Sequence, residues 1–192
     1  MVLYAGVDAA FPGPALPNGV TILAAYIGDD REAGAPDTPH VWTAAEWNSY
    51  INTYPGLHVL PIYTHNFLGD PIADANNACD AAETLGWSPR YTGDSQRIIA
   101  LDLETLIAPT YVERMIAQID KRGFAAMPYG SNGTVKANPM GIGYWVADLV
   151  MSPPKNLGVN VQGVQYKFGN DWDSDVFSQR VYDGCGVGLR HG

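Results

Sequence analysis

Apolar residues along this chain gather in short runs bounded by Gly, Pro or charge. LYAGVD (3–8), VTILAAYIG (20–28), LHVLPIYTH (57–65), RIIALDLET (97–105), GFAAMPYGS (123–131), GIGYWVADL (141–149) and VNVQGVQYKF (159–168) read as strands. They lack a clean period of two, as expected of parallel strands covered on both faces. Three helices are signposted between them. In WTAAEW, Thr43 with Glu46 three residues on makes a capping box, and Trp42 and Trp47 occupy the staple positions. Asp70-Pro71 opens a second helix whose stripe is Ile72, Ala75, Cys79 and Ala82, with Gly86 just past its end. Thr110 with Glu113 marks a third, with Val112, Met115, Ile116 and Ile119 on its apolar face.

Strands alternating with helices imply an α/β chain with a parallel sheet. After residue 131 the helical signals fade while strand-like runs continue. A (β/α) TIM-type barrel, irregular and with helices depleted in its second half, accounts for this as one domain over residues 1–192. An open doubly wound sheet is the competing arrangement, and its nucleotide-binding versions lose support because no Gly-x-Gly-x-x-Gly or P-loop follows any strand.

Composition narrows the function. With 46% hydrophobic and 16% charged residues, the chain is a packed globular one. A net charge of −9 leaves no electrostatic footprint for nucleic acid or anionic lipid, so neither is expected as a partner. No apolar run is long enough for membrane insertion, and MVLYAGVDAAFPGP lacks the basic leader of a secretory signal. His40, His58, His65 and His191 are scattered and no Cys-x-x-Cys occurs, so no metal or cofactor is expected. Cys79 and Cys185 pair only if the fold brings them together.

The candidate chemistry lies in the acids. Strand carboxyl ends point into the active face of a parallel barrel. Asp8 ends the first run, Asp102 and Glu104 end the fourth, and Asp173 follows the seventh in NDWDSDVF. Residues two apart on a strand project to one side with Cα atoms roughly 6–7 Å apart. Acid-x-acid arises by chance about twice in a chain of this composition, and Asp30-x-Glu32, Asp171-x-Asp173 and Asp173-x-Asp175 need no catalytic reading. What sets Asp102-x-Glu104 apart is its apolar strand context, where an unpartnered charge is expensive. Tyr63, Tyr129, Trp145, Gln165 and Tyr166 fall at or near strand ends. Singly, such aromatics are more often packing than ligand platforms. Acids together with aromatics at one mouth suit glycoside cleavage, with one carboxyl protonated to serve the leaving oxygen and another ionised. Glu104 is the natural donor, since Asp102 beside it raises its pKa.

The ordered series GVDAA, YIG, PIY, LDLET, YGS, YWVA, QY and DSDVF, spanning residues 4 to about 177, resembles the family 25 glycoside hydrolases, lysozymes that cut peptidoglycan. PIY and the Ala-rich helix ending in LGW look closer to a related group, the glycoside hydrolase-like domain of unknown function 1906. The resemblance implies a helix-depleted barrel and a retaining muramidase that cuts the β-1,4 bond after N-acetylmuramic acid. Glu104 would be its acid/base, with Asp102, Asp8 and Asp173 completing the catalytic floor. Tyr63, Tyr129, Trp145 and Gln165 match groove positions. Asp175 stands where the family's Asp-x-Asn-x-Phe tag has Asn. Chitinase-like barrels also end a strand with Asp-x-Glu, but their further acids two and five residues before that Asp are Ala100 and Arg97 here.

The expected partner is therefore peptidoglycan or another polysaccharide, met outside the cytoplasm after lysis or release, or as part of a virion. The alternative is a catalytically silent glycan-binding or structural module of a phage or injection particle, contacting other particle proteins. An open groove above Glu104, not filled by the Asp29–Asp37 loop or by residues 148–160, distinguishes the enzyme from the module.

Overall fold

The computed structural model of the protein describes residues 2–9, 11–13, 15–28, 40–65, 67–89, 96–103, 107–148 and 152–187. Glu104 and the Asp29–Asp37 segment lie outside the described residues. The elements in chain order are β1 (Tyr4–Ala9), β2 (Ile22–Gly28), α1 (Ala44–Thr53), β3 (His58–Tyr63), α2 (Pro71–Thr84), β4 (Arg97–Asp102) and α3 (Pro109–Lys121). They continue with β5 (Phe124–Ser131), α4 (Asn132–Lys136), β6 (Tyr144–Ala147), β7 (Val161–Lys167), β8 (Asp173–Phe177), α5 (Gln179–Gly184) and β9 (Gly186–Val187).

Strands β1 to β8 each pair with the next, and β8 pairs back onto β1, so the sheet closes into an eight-stranded barrel. β9 is an extra antiparallel strip on the start of β3. The TIM-type barrel expected from the sequence is present, with one difference. Strands β1 to β7 run parallel, whereas β8 is antiparallel to both β7 and β1. Only residues 168–172 separate β7 from β8. A connection that short cannot make the crossover a parallel neighbour needs, so the chain turns straight back. The helices thin out as expected: α1, α2 and α3 have 10, 14 and 13 residues, while α4 has 5.

The first two helix starts follow the sequence signals. Thr43 and Glu46 form the full capping box, and Trp42 packs on Trp47 with ring centroids 5.6 Å apart. Asp70 caps α2 by accepting from the Ile72 N–H at 3.1 Å, with Pro71 at the first helical position. Thr110 does not cap α3. The cap is Ala108, without a side-chain bond, because Pro109 takes the first helical position and draws the helix start forward.

Alternation along the strands splits the core into two layers. Inside the barrel lie Ile22, Ala24, Leu60, Ile62, Ile98, Ala100, Met127 and Phe177. Between barrel and helices lie Leu23, Val59, Ile99 and Leu101, packed on Trp47, Ala78, Met115 and Ile119. Cys79 belongs to the outer layer and Cys185 to the inner, and both are free thiols.

Candidate active site at the mouth of the barrel

The inward parity of β1, β2, β4, β5, β7 and β8 delivers a polar side chain to the mouth of the barrel. On β4, Ile98, Ala100 and Asp102 share the inner face; on β2, Ile22, Ala24 and Tyr26 do so. β8 enters from the mouth, so Asp173 at its start stands level with Asp8 at the end of β1. Asp8, Tyr26, Asp102, Tyr129, Gln165 and Asp173, with Gly130, Ser131, Ala147 and Phe168, line a cavity of about 290 Å³. A second cavity of about 230 Å³ adjoins it, sharing Asp8 and Asp173 and adding Phe11, Pro12 and the Gly169–Asp171 turn.

Hydrogen bonds organise the acids. The Tyr26 hydroxyl donates to Asp102 Oδ2 at 3.0 Å. The Gln165 amide donates to Asp8 Oδ2 at 3.0 Å and to Asp173 Oδ2 at 3.1 Å, so one side chain ties two carboxyls together. The Gly169 N–H donates to Asp173 Oδ1 at 2.9 Å. Burial lifts the Asp8 carboxyl to about 7; the Asp173 charge adds to the rise, and bonds from Asp175 and Gln165 oppose it. Burial also raises Asp173, against the Gly169 bond. Burial and the surrounding carboxylates, Asp8 foremost, push the Tyr129 hydroxyl well above its ordinary range, so it stays neutral.

The expected site residues divide three ways. Asp8, Asp102, Asp173, Tyr129 and Gln165 come together around the cavity. Trp145 is fully buried beneath it, stacked on Tyr129 at 3.9 Å and donating its indole N–H to Asp175 at 2.9 Å; it supports the floor without facing the cavity. Tyr63 and Tyr166 do not reach the cavity. Tyr63 packs in the outer layer against Gly28, and Tyr166 takes the parity opposite to inward Gln165.

Structure adds residues that the sequence reading passed over. Tyr26 shares its parity with Ile22 and Ala24 in ILAAYIG, a signal that counting back from the strand end could have found. Phe168 on the cavity rim is 58% exposed and Phe11 on the adjoining one is 62% exposed. Single exposed rings are common on protein surfaces, but these two line the cavities that hold Asp8 and Asp173. Gly130 has φ +147°, and a Cβ there would lie 2.8 Å from the Leu103 carbonyl oxygen. That close approach seats β5 against the residue that leads into Glu104.

Comparison with solved structures places this architecture. An uncharacterised protein from B. stearothermophilus superposes with TM-score 0.69 at 17% identity, over 95% of this chain and 100% of that one. The bacterial lysozyme from Streptomyces coelicolor gives TM-score 0.61 at 13% identity, over 94% and 96%. A family 25 glycosyl hydrolase from Bacillus anthracis gives 0.58 at 14% identity, over 94% and 92%. This chain has the fold of the family 25 glycoside hydrolases. No family profile and no curated protein matches the sequence. The likeness therefore rests on three-dimensional shape, and the low identities mean that residue roles come from the cavity itself.

Proposed function

We propose that the protein is a muramidase-type glycoside hydrolase that cuts peptidoglycan at the β-1,4 bond after N-acetylmuramic acid. One observation carries this reading: Asp8, Asp102 and Asp173 converge from separate strands on one cavity, at the end of the barrel where Glu104 follows Asp102 in sequence. Solved proteins of this fold include a muramidase from Acremonium alcalophilum and the Streptomyces lysozyme, which supports a glycan substrate.

In this reading Glu104 donates a proton to the leaving oxygen and recovers it from water. Asp102, held by Tyr26, raises the proton affinity of Glu104 and orients the sugar. Gln165 fixes Asp8 and Asp173 as the floor. Phe168 and Phe11, on cavities that share Asp8 and Asp173, offer ring faces to successive sugars. The wall polymer lies outside the cytoplasmic membrane, so the enzyme acts there.

The test is mass spectrometry of soluble fragments released from purified peptidoglycan by wild type and by Glu104→Gln. Disaccharide-peptides with a reducing muramic acid end from wild type alone support the assignment. Fragments with a reducing N-acetylglucosamine end would assign a different bond. Silence from verified folded wild type across walls of several chemotypes would favour the binding module instead.

A further inference from the structure

β8 carries two inward acids, but only Asp173 lines the cavity. Asp175 lies one layer deeper, opposite Gly6 in the β1–β8 register, and is 1% exposed. Its Oδ1 accepts the Trp145 indole N–H at 2.9 Å, whereas Oδ2 is also buried and has no donor among the described residues. In the β1–β8 register Asp173 stands opposite Asp8 and Asp175 opposite Gly6, so Asp175 is the diagonal inward neighbour of Asp8, whose Oδ2 accepts from Gln165. Two such buried carboxyls can bond to each other only if a proton lies between them. A carboxylic O–H on Asp175 is the donor that satisfies both buried groups at once.

The surroundings favour keeping that proton. Facing the pair are Gln165 from β7, Asp173 from β8, Trp145 from β6, Tyr129 from β5, Asp102 from β4 and Tyr26 from β2. All are neutral or acidic, so none of them offsets a second negative charge in a dry layer. Burial first, and the Asp8 charge second, lift Asp175 well above the ordinary carboxyl range.

We propose that Asp175 and Asp8 form a proton-sharing pair in which Asp175 is a positioning residue, donating the shared proton, aiming Asp8 at the cavity and confining the intact site to acid and neutral conditions. The consequence for catalysis rests on the glycosidase reading; the pair itself does not. The sign follows from where the protons sit. The folded pair retains protons that the unfolded chain releases near 3.8, so its contribution to stability is highest on the acid side. It falls as pH rises from that value through about 7. Each retained proton makes the unfolding constant climb about tenfold per pH unit.

The experiment is denaturant unfolding from about pH 4.5 to 8 for wild type, Asp175→Asn, Asp8→Asn and the double variant. Asn at position 175 keeps the shape and offers Asp8 an amide donor without a shared proton. The expected result is a pH dependence shallower by about one proton in each single variant, with the double variant losing less than the sum. Parallel curves for wild type and Asp175→Asn would overturn the proposal, since a purely structural substitution shifts stability equally at every pH. Should Asp175→Asn not fold, the infrared carbonyl band of a protonated carboxyl in wild type at pH 7 decides alone, and its absence refutes the pair. If wild type cleaves glycan, Asp175→Asn extends activity to higher pH. If wild type cleaves nothing, the glycosidase reading fails while the unfolding curves still decide the pair.

Discussion

Replacing Gln165 with leucine keeps the volume of the side chain and removes the amide that holds the cavity's acids in place. Gln165 is 1% exposed and donates to Asp8 at 3.0 Å and Asp173 at 3.1 Å. When the acceptor is ionised, such a bond contributes about 1.5–3 kcal/mol. Asp173 is only half-buried, so its share falls at the low end or below. At pH 8, where Asp8 has passed its value of about 7, the expected loss is about 3 kcal/mol. At pH 5 Asp8 keeps its proton, the bond to Gln165 is between neutral groups, and the loss shrinks to about 1–2 kcal/mol. The direction has an independent check. The Gln165 bond lowers the Asp8 carboxyl, so its removal raises that value further and selectively favours the folded state at low pH. Urea unfolding at the two pH values measures both losses. In a chain of this size the pH 8 loss lowers the midpoint of thermal unfolding by about 6–12 °C. Equal losses at both pH values, or a loss below about 0.5 kcal/mol at pH 8, would refute the assignment of Gln165 as the clamp on an ionisable Asp8.

Other perturbations follow from the same contacts. Gly130→Ala forces a side chain into φ +147° and against the Leu103 carbonyl; it is expected to cost roughly 1–3 kcal/mol in thermal unfolding and to reduce glycan release by disturbing the approach to Glu104. Trp145→Phe keeps the stack on Tyr129 but leaves Asp175 Oδ1 without its donor, costing about 1–3 kcal/mol by denaturant unfolding. Thr43→Ala removes the α1 cap and costs about 1 kcal/mol at neutral pH. Burial alone would raise Glu46, but the Thr43 backbone N–H, His40 and the Thr43 hydroxyl outweigh it and hold the carboxyl below its ordinary value. That contribution is present above 4.5 and disappears as pH falls through the lowered folded value, so the Thr43→Ala penalty should narrow in acid unfolding curves.

Much of the barrel was legible because each of β1 to β7 lies in an apolar run bounded by a turn or an acid, and each long helix but one announces its own cap. α3 was misplaced at its start because Pro109 supplies a helical φ that overrides the Thr110 box. β8 and its reversal were not legible from the apolar pattern, because DSDVF is too short and too acidic to stand out as a run, and the short 168–172 connection sets its direction. Among site residues, the acids could be found because a carboxyl in an apolar run is expensive without a role. The aromatics could not be sorted the same way. In strands buried on both faces, hydropathy does not say which parity points inward, so Tyr63 faces the helices while Tyr129 faces the cavity. Asp-x-Asp spacing near a turn is common, so the sequence does not single out Asp175; only the β1–β8 register, with Asp175 opposite Gly6, makes it the diagonal neighbour of Asp8.

The most direct measurement of the central claim is turnover of a soluble oligomer of alternating N-acetylglucosamine and N-acetylmuramic acid by wild type and by folded Glu104→Gln. General acid catalysis at Glu104 predicts measurable cleavage by wild type and a loss of about two to four orders of magnitude in the variant, with unfolding unchanged. Undiminished turnover by Glu104→Gln would contradict the account, because the cavity would then be cutting glycan without the acid assigned to it.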